Sequence, residues 1–291
     1  MKKDLSKQFR EVLPENWINI TDSEFNALKE LVYDKIGINL TDEKRNLVMG
    51  RLQKILKQKR FSNFGQYYDY VVRDRTGYAL GELANNISTN HTFFYRENDH
   101  FEYFFSTVLP QIEDSLKATG TNDIRIWSAG CSSGEEPYLL VMLMMEYFGD
   151  KYKQLDAGVL ATDISEKALS IAHNGIYHED RLKLLPEKYK KKYFNQVSNS
   201  EWKVRDFVRK EVLYRRFNLM NEVFKFKKEF HVIFCRNVMI YFDEKTRNEL
   251  VRKFQDLLMI NGYLFIGHSE TINKKLFNFK FIMPALYRKM K

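Results

Sequence analysis

Small and acidic residues occur together in one stretch of this 291-residue chain. Residues 128–134 read Ser-Ala-Gly-Cys-Ser-Ser-Gly and include Gly130; they separate a short apolar segment from the acidic pair Glu135-Glu136. Small side chains let a ligand approach the backbone, whereas two carboxylates at a helix start would repel a pyrophosphate. The pattern favours a ligand with an ammonium or sulfonium group, with an ordinary tight turn as the alternative.

Polar residues end three further segments that read as strands. Asp163 closes an apolar segment, where its carboxylate could accept both hydroxyls of a ribose or cap the following helix. Asn237 closes another, with Tyr241 just after it, and Asn218 follows a third. An Asn at a strand end can bind a ligand amide, carboxylate or amine, but it is also a common turn residue.

The elements that must position these residues alternate between strand and helix from about residue 123. Their apolar, continuous strands predict an α/β fold with a mostly parallel sheet covered on both faces. Expected strands are 124–127, 158–164, 231–237 and 263–267, the last after a turn at Asn261-Gly262, and expected helices are 137–148, 165–173 and 244–259. Residues 195–217 break the alternation and predict a small β insertion.

Residues 20 to about 90 follow a helical pattern instead. Thr21 and Thr41 are start signals, and the two helices after them carry apolar stripes. In the second helix, Arg51, Lys54 and Lys57 fall on the face opposite the stripe. That basic face is either solvated or a docking surface for an acidic partner.

The composition excludes a disordered chain and a membrane-spanning protein. The chain is 44% apolar, with 47 Lys and Arg against 38 Asp and Glu, so it is not disordered and its net charge of +9 favours acidic partners. Its longest apolar run, 138–145, is far shorter than the roughly 20 residues that span a bilayer. The two cysteines and six histidines show no metal-ligand spacing, so we expect no metal. Two cysteines are also too few for a disulfide framework, so we expect a cytoplasmic protein.

Four motifs occur in a fixed order: Thr-Asn-His-Thr-Phe-Phe-Tyr-Arg-Glu at 89–97, the loop and helix start at 127–138, Ala-Thr-Asp-Ile at 161–164, and Phe-Cys-Arg-Asn-Val-Met-Ile-Tyr-Phe at 234–242. Together they resemble the CheR family of chemotaxis receptor glutamate O-methyltransferases, from about residue 20 to the end. The resemblance implies an N-terminal extension (1–17), an all-helical domain (18–88) and a Rossmann-like S-adenosylmethionine-dependent methyltransferase domain (89–291). A small β subdomain is expected at about 195–217.

The implied reaction moves a methyl group from S-adenosylmethionine to glutamates on the cytoplasmic helical bundle of chemoreceptors, leaving S-adenosylhomocysteine. Arg96 and Tyr241 would border the methyl group and the incoming carboxylate. The residues expected to contact the cofactor are Asn90, Thr92, Arg96, Gly130, Glu135 or Glu136, Asp163, Asn218, Leu219, Asn237 and Val238. Enteric members have a glycine-rich loop that docks on a receptor tail, but residues 195–202 contain no glycine, so we predict a tail-independent enzyme.

Three alternatives remain open at this point. A nucleic-acid methyltransferase would suit the charge, but this chain lacks an Asn/Asp-Pro-Pro-aromatic motif at Arg236-Asn237-Val238-Met239, and Cys235 does not follow a proline. A non-catalytic module could keep the cofactor fold, and a nicotinamide dehydrogenase is disfavoured by Glu135-Glu136. Of these functions we expect the chemoreceptor methyltransferase, with no nucleic-acid partner. We also expect a monomer that does not insert into a membrane.

Overall fold

The computed structural model describes residues 17–88 and 92–291. Asn90, an expected cofactor contact, lies outside the described residues. The N-terminal part consists of helices, with a 3₁₀ turn at Asp42–Lys44 before the second. The helices are α1 (Asp22–Ile36), α2 (Arg45–Gln58), α3 (Phe64–Arg73) and α4 (Tyr78–Ile87).

The start of α1 shows why this segment is helical. The Thr21 hydroxyl accepts the Glu24 N–H while the Glu24 side chain accepts the Thr21 N–H, a reciprocal cap that satisfies two donors of the first turn. Gly37, at φ 73°, ends the helix in the left-handed conformation. The predicted apolar stripes of α1 and α2 are buried against each other and against α3 and α4, so the helical prediction is confirmed.

A seven-stranded sheet forms the centre of the remainder. Its strands are β1 (Asp123–Ala129), β2 (Asp156–Asp163), β6 (Val212–Arg216), β7 (Phe230–Cys235), β8 (Leu258–Ile266), β9 (Phe279–Met283) and β10 (Leu286–Lys289). Across the sheet they lie in the order β6-β2-β1-β7-β8-β10-β9. The first five strands of that order are parallel, and β10 and β9 add antiparallel pairs at one edge.

Apolar residues cover both faces of this sheet, as predicted. On β1, Ile124 and Ile126 belong to one apolar cluster, whereas Trp127 and Ala129 belong to another on the opposite face. The helices of this part are α5 (Asn98–Tyr103), α6 (Leu109–Thr119), α7 (Glu135–Phe148), α8 (Glu166–Asn174), α9 (Glu187–Tyr193), α10 (Asp206–Arg209) and α11 (Glu244–Leu257), with a π-helical turn at Phe104–Val108 between α5 and α6.

Two local predictions were wrong. The short strands expected within one insertion are divided between two sheets: Val212–Arg216 pairs in parallel with β2 in the main sheet, while the small sheet consists of β3 (Ile176–His178), β4 (Phe194–Gln196) and β5 (Glu201–Val204). Asn261-Gly262 does not separate a helix from a strand. It lies inside β8, where Asn261 at φ 69° accompanies a shift in register.

The helical part closes over the carboxyl ends of the parallel strands. The Asn39 N–H donates to the Tyr241 carbonyl at 2.8 Å, and the Tyr33 hydroxyl donates to the Asp243 carboxylate at 2.7 Å. A Cβ on Gly81 of α4 would lie 2.6 Å from the Ile164 carbonyl oxygen. The two parts therefore pack directly against each other. Of the described helices, none combines the length and apolarity that crossing a bilayer requires.

Candidate active site

A cavity lies where the helical part meets the carboxyl ends of β1, β2 and β7. Its walls include most of the residues that the sequence singled out, and its apolar side includes Ile36 and Ile38 from the helical part. The predicted residues that line it are Thr92, Arg96, Gly130, Glu136, Asp163, Asn218, Leu219, Asn237, Val238 and Tyr241. Five separate segments therefore converge on one cavity, as expected for a ligand site in an open α/β sheet.

The loop after β1 requires its glycine. Gly130 has φ 77°, and its N–H and that of Cys131 donate to the Thr162 carbonyl at 2.8 and 2.9 Å. A Cβ at this position would overlap the Cγ2 atom of Val238, which lines the same cavity. A side chain is excluded both by the backbone conformation and by the neighbouring loop.

The acidic pair is divided between two environments. Glu136 lines the cavity, where its carboxylate accepts hydrogen bonds from the Ser128 hydroxyl at 2.7 Å and from Arg236 at 3.0 Å. Glu135 is 1% exposed and is not among the lining residues. It accepts hydrogen bonds from the Ser133 hydroxyl at 2.7 Å and from Arg181 at 3.3 Å. Of the pair, Glu136 is the residue placed to contact a ligand in this cavity.

Asp163 supports the loop from the neighbouring strand. One carboxylate oxygen accepts the Ser132 N–H and the other accepts the Ser165 N–H, both at 2.9 Å. The side-chain cap of α8 is Ser165 rather than Asp163, so simple capping does not explain the aspartate. Burial raises the pKa of Asp163. Each carboxylate oxygen can accept a further hydrogen bond, which leaves Asp163 able to bind ligand hydroxyls.

The two predicted asparagines are held by protein contacts at the cavity wall. Asn237 has φ 59°, and its side chain donates to Glu97 at 3.2 Å. Asn218 donates to the Lys35 carbonyl of α1 at 2.7 Å and accepts the Met220 N–H at 2.9 Å. The Asn218 side chain therefore fixes the cavity wall to the helical part.

The sequence prediction omitted Arg236, although it lies inside a quoted motif. Its side chain is 4% exposed and donates to Glu136 and to Glu97, each at 3.0 Å, as well as to the Arg96 carbonyl. Its guanidinium also lies over the Phe101 ring, 5.0 Å from the centroid. Arg236 therefore connects the acidic residue of the cavity to the backbone of the loop that carries Arg96.

That loop has an unusual backbone on both sides of Arg96. Tyr95 and Glu97 have φ values of 66° and 57°, which non-glycine residues seldom adopt. Burial would raise the pKa of Glu97, but the Arg236 guanidinium and the Asn237 amide hold it below its ordinary value. An ionised Glu97 thus helps to keep the loop in place.

Tyr241 reaches the cavity from the turn after β7. Its ring packs against the core of the helical part, and Phe242 beside it forms an isolated β-bridge with Ile38. Tyr241 and Arg96 line the same cavity from different loops. Both predicted catalytic residues are therefore brought to one place by the fold.

The basic face of α2 is not uniform. Lys54 and Lys57 are exposed, whereas Arg51 is half-buried and donates to the Ile87 carbonyl at the end of α4. Docking through this face stays a prediction. Within it, Lys54 and Lys57 are the residues available to a partner, while Arg51 also stabilises a helix terminus.

The chain matches two family models. Residues 23–88 match the "CheR methyltransferase, all-alpha domain" and residues 90–286 match the "CheR methyltransferase, SAM binding domain".

Curated relatives match along most of their own length. A chemotaxis protein methyltransferase of Borreliella burgdorferi is 46% identical over 272 residues, covering 94% of this chain and 96% of the relative. A probable chemotaxis protein methyltransferase of Rhizobium etli is 37% identical over 246 residues, covering 84% and 90%. The chemotaxis protein methyltransferase of Escherichia coli is 33% identical over 257 residues, covering 87% and 86%.

Proposed function

We propose which side chains this chain methylates, starting from the finding that it belongs to the CheR methyltransferase family. The resemblance of its motifs to that family is therefore confirmed. The chain is an S-adenosylmethionine-dependent methyltransferase of chemotaxis. The proposed acceptors are glutamate side chains on the cytoplasmic helical bundle of chemoreceptors. The product would be a glutamate methyl ester that resets receptor signalling.

The side chains that line the cavity match the chemical groups of S-adenosylmethionine. When bound, S-adenosylmethionine supplies a methyl group attached to a positively charged sulfur. Glu136 provides a carboxylate for a cationic group, and Asp163 provides acceptors for ribose hydroxyls. Gly130 keeps the loop backbone free of a side chain, and Val238 packs over it. The cofactor contacts assigned to these residues are part of the proposal.

The proposed reaction needs no general base. A glutamate side chain in water has a pKa of about 4.3, so it arrives ionised at neutral pH. Its oxygen forms a bond to the methyl carbon as the carbon–sulfur bond breaks. Because no proton moves, the protein contributes mainly by holding the two reactants in contact, which can supply several kcal/mol.

Arg96 and Tyr241 are the residues we propose for orienting the carboxylate. They face one cavity from separate loops, and the apolar side chains of Ile36, Ile38 and Phe242 line it as well. Few hydrogen bonds and little water around the carboxylate would favour its conversion to a neutral ester. Arg236 supports Arg96 through the Arg96 carbonyl.

The convergence of the predicted residues on one cavity with two carboxylates is the observation that carries this proposal. The test incubates the protein with methyl-labelled S-adenosylmethionine and receptor cytoplasmic fragments. Label released from the receptor by mild base, as methanol, is expected. Stable label on nucleic acid, or none on the receptor, would contradict it.

Variants of the two orienting residues test the site itself. Arg96→Ala and Tyr241→Phe should lower turnover by at least tenfold while the protein remains folded. Arg75→Ala and Tyr78→Phe are matched controls, since both residues are exposed on the helical part. Wild-type turnover in both site variants would remove them from the mechanism.

Independence of a receptor tail is part of the proposal. The turn between β4 and β5 is closed by the Val197 N–H, which donates to the Glu201 carbonyl at 2.9 Å. This turn contains no glycine. Receptor fragments with and without their terminal tail peptide should be methylated at equal rates, and a large preference for the tailed fragment would show that the tail is used.

A further inference from the structure

A second group of polar side chains lies beside the cavity, behind the loop that carries Arg96. Glu97, His100 and His268 each offer a ligand atom within 4.8 Å of the other two. Glu97 is the residue immediately before α5, His100 lies in α5, and His268 follows β8. The fold thus places two imidazoles and a carboxylate together from distant parts of the chain.

His100 has an unusual environment for a histidine. It is 0% exposed, and its Nδ1 atom has no hydrogen-bond partner among the described residues. That atom lies 3.8 Å from a carboxylate oxygen of Glu97. The other ring nitrogen, Nε2, lies 3.4 Å from the Pro284 carbonyl oxygen. A buried polar atom without a partner is unfavourable, so Nδ1 calls for an explanation.

The contact with Pro284 selects a tautomer. If Nε2 carries the proton and donates to the carbonyl, Nδ1 presents a lone pair toward Glu97. A neutral imidazole whose far nitrogen donates to a carbonyl is the usual state of a metal-binding histidine.

His268 completes the group from the solvent side. Its ring centroid lies 4.8 Å from that of His100, and its Nε2 atom lies 3.2 Å from the Asp99 carboxylate. The side chain of His268 is 42% exposed, which gives an ion a route from solvent. Asp99 adds a second carboxylate at the mouth of the group.

We propose that Glu97, His100 and His268 bind a divalent transition-metal ion, with Zn²⁺ as the best match. Two imidazole nitrogens and one carboxylate oxygen form a donor set that Zn²⁺ commonly uses, with a fourth position left for water. Zinc ligands lie about 2.0–2.1 Å from the metal, so the three side chains would move closer together on binding.

The local charge favours a cation despite the buried Arg236. That single guanidinium faces two carboxylates, Glu97 and Glu136, each at 3.0 Å, and the Asp99 carboxylate lies beside His268. One Glu97 oxygen accepts a hydrogen bond from Asn237, and the other accepts from Arg236 and from the His268 backbone N–H. A carboxylate oxygen can bind a metal while it accepts a hydrogen bond, so Arg236 can remain in place.

The test uses the untagged full chain, stripped with a chelator and titrated with Zn²⁺ by calorimetry. One ion per chain is expected, together with a rise in melting temperature, since a ligand of the native state stabilises it. Glu97→Gln and His268→Ala should each weaken zinc binding by at least tenfold. Cobalt(II) in place of zinc should give visible absorption bands that these variants lose.

His178→Ala is the matched control. His178 is an exposed histidine whose Nδ1 atom lies 3.0 Å from the Asp180 carboxylate, but it is not among the clustered ligands. Zinc binding that His178→Ala leaves intact and His268→Ala removes supports the site. No binding, or equal binding by the wild type and His268→Ala, would overturn it. His268 is partly exposed, so this variant should fold even if a substitution at buried His100 does not.

Discussion

The guanidinium of Arg236, which is almost fully buried, lies 3.0 Å from the carboxylate of Glu136 and joins two sides of the cavity. Glu136 comes from the start of α7, while the same guanidinium holds the loop before α5 through Glu97. Removing one partner of a buried ion pair leaves the other charge uncompensated, which typically costs about 3–5 kcal/mol.

Arg236→Met should therefore lower the free energy of unfolding by about 3 kcal/mol or more. Urea denaturation followed by circular dichroism measures this. Arg75→Met, at an exposed position, should change it little. If Arg236→Met were as stable as the wild type, the buried pair would not be important for the fold.

Gly130→Ala should weaken S-adenosylhomocysteine binding by at least tenfold, because the added Cβ overlaps Val238 at the cavity wall. Gly120→Ala is the control: Gly120 also has positive φ, at 66°, but a Cβ there meets nothing within 4 Å. Both variants carry the left-handed backbone penalty of about 1–2 kcal/mol. Calorimetry should show weaker S-adenosylhomocysteine binding in Gly130→Ala alone. Weaker binding by both variants would mean that backbone strain, not the overlap with Val238, causes the effect.

Glu136→Gln should weaken cofactor binding by about tenfold, or about 1.4 kcal/mol, since it removes the negative charge at the cavity. Glu135→Gln should affect it less, because Glu135 is buried against Ser133 and Arg181 outside the cavity lining. Affinities for S-adenosylhomocysteine compare the two. The reverse order would mean that Glu135 is the ligand contact.

The stability of the fold should decrease as the pH falls below about 6.5, the ordinary pKa of histidine. Burial lowers the pKa of His231, whose Nδ1 atom accepts the Arg125 N–H at 3.1 Å. The unfolded chain then takes up a proton that the native state resists, so acid favours unfolding. Urea midpoints at pH 7.5 and 5.5 should differ less in His231→Gln, and an unchanged difference would rule out this residue as a source.

Lys54→Glu with Lys57→Glu should slow receptor methylation at low salt by about tenfold, with cofactor affinity unchanged, because charge complementarity chiefly raises association rates. The difference should shrink at high salt. Lys225→Glu with Lys227→Glu reverses two charges on another exposed segment and serves as the control. Equal slowing by both pairs would indicate a general charge effect instead of docking.

Much of the architecture was predictable because its signals are local. The apolar segments that became β1, β2 and β7 end in polar residues, and parallel strands bring their carboxyl ends to one edge. Val212–Arg216 was misassigned because its register with β2 is a long-range pairing that alternation does not reveal. The turn signal at Asn261-Gly262 was misleading because a register shift inside β8 uses the same conformation.

The site was only partly predictable for a similar reason. Glu135 and Glu136 are adjacent in sequence, and only packing decides which of them reaches the cavity. Arg236 stands in a recognisable motif, but its partners Glu97 and Glu136 come from distant segments. Glu97 and His100 are three residues apart, but the group could not be predicted from the sequence because a loop after β8 supplies its third member, His268.

The hydrogen bond from Asn218 to the Lys35 carbonyl joins the cavity wall to α1, so the helical part cannot be removed without losing a contact of that wall. Because Ile36 and Ile38 supply part of the cavity wall, a fragment that begins after α4 would expose that side of the cavity to water. The four-helix part is therefore a structural component of the candidate active site, and we expect a minimal active fragment to require it.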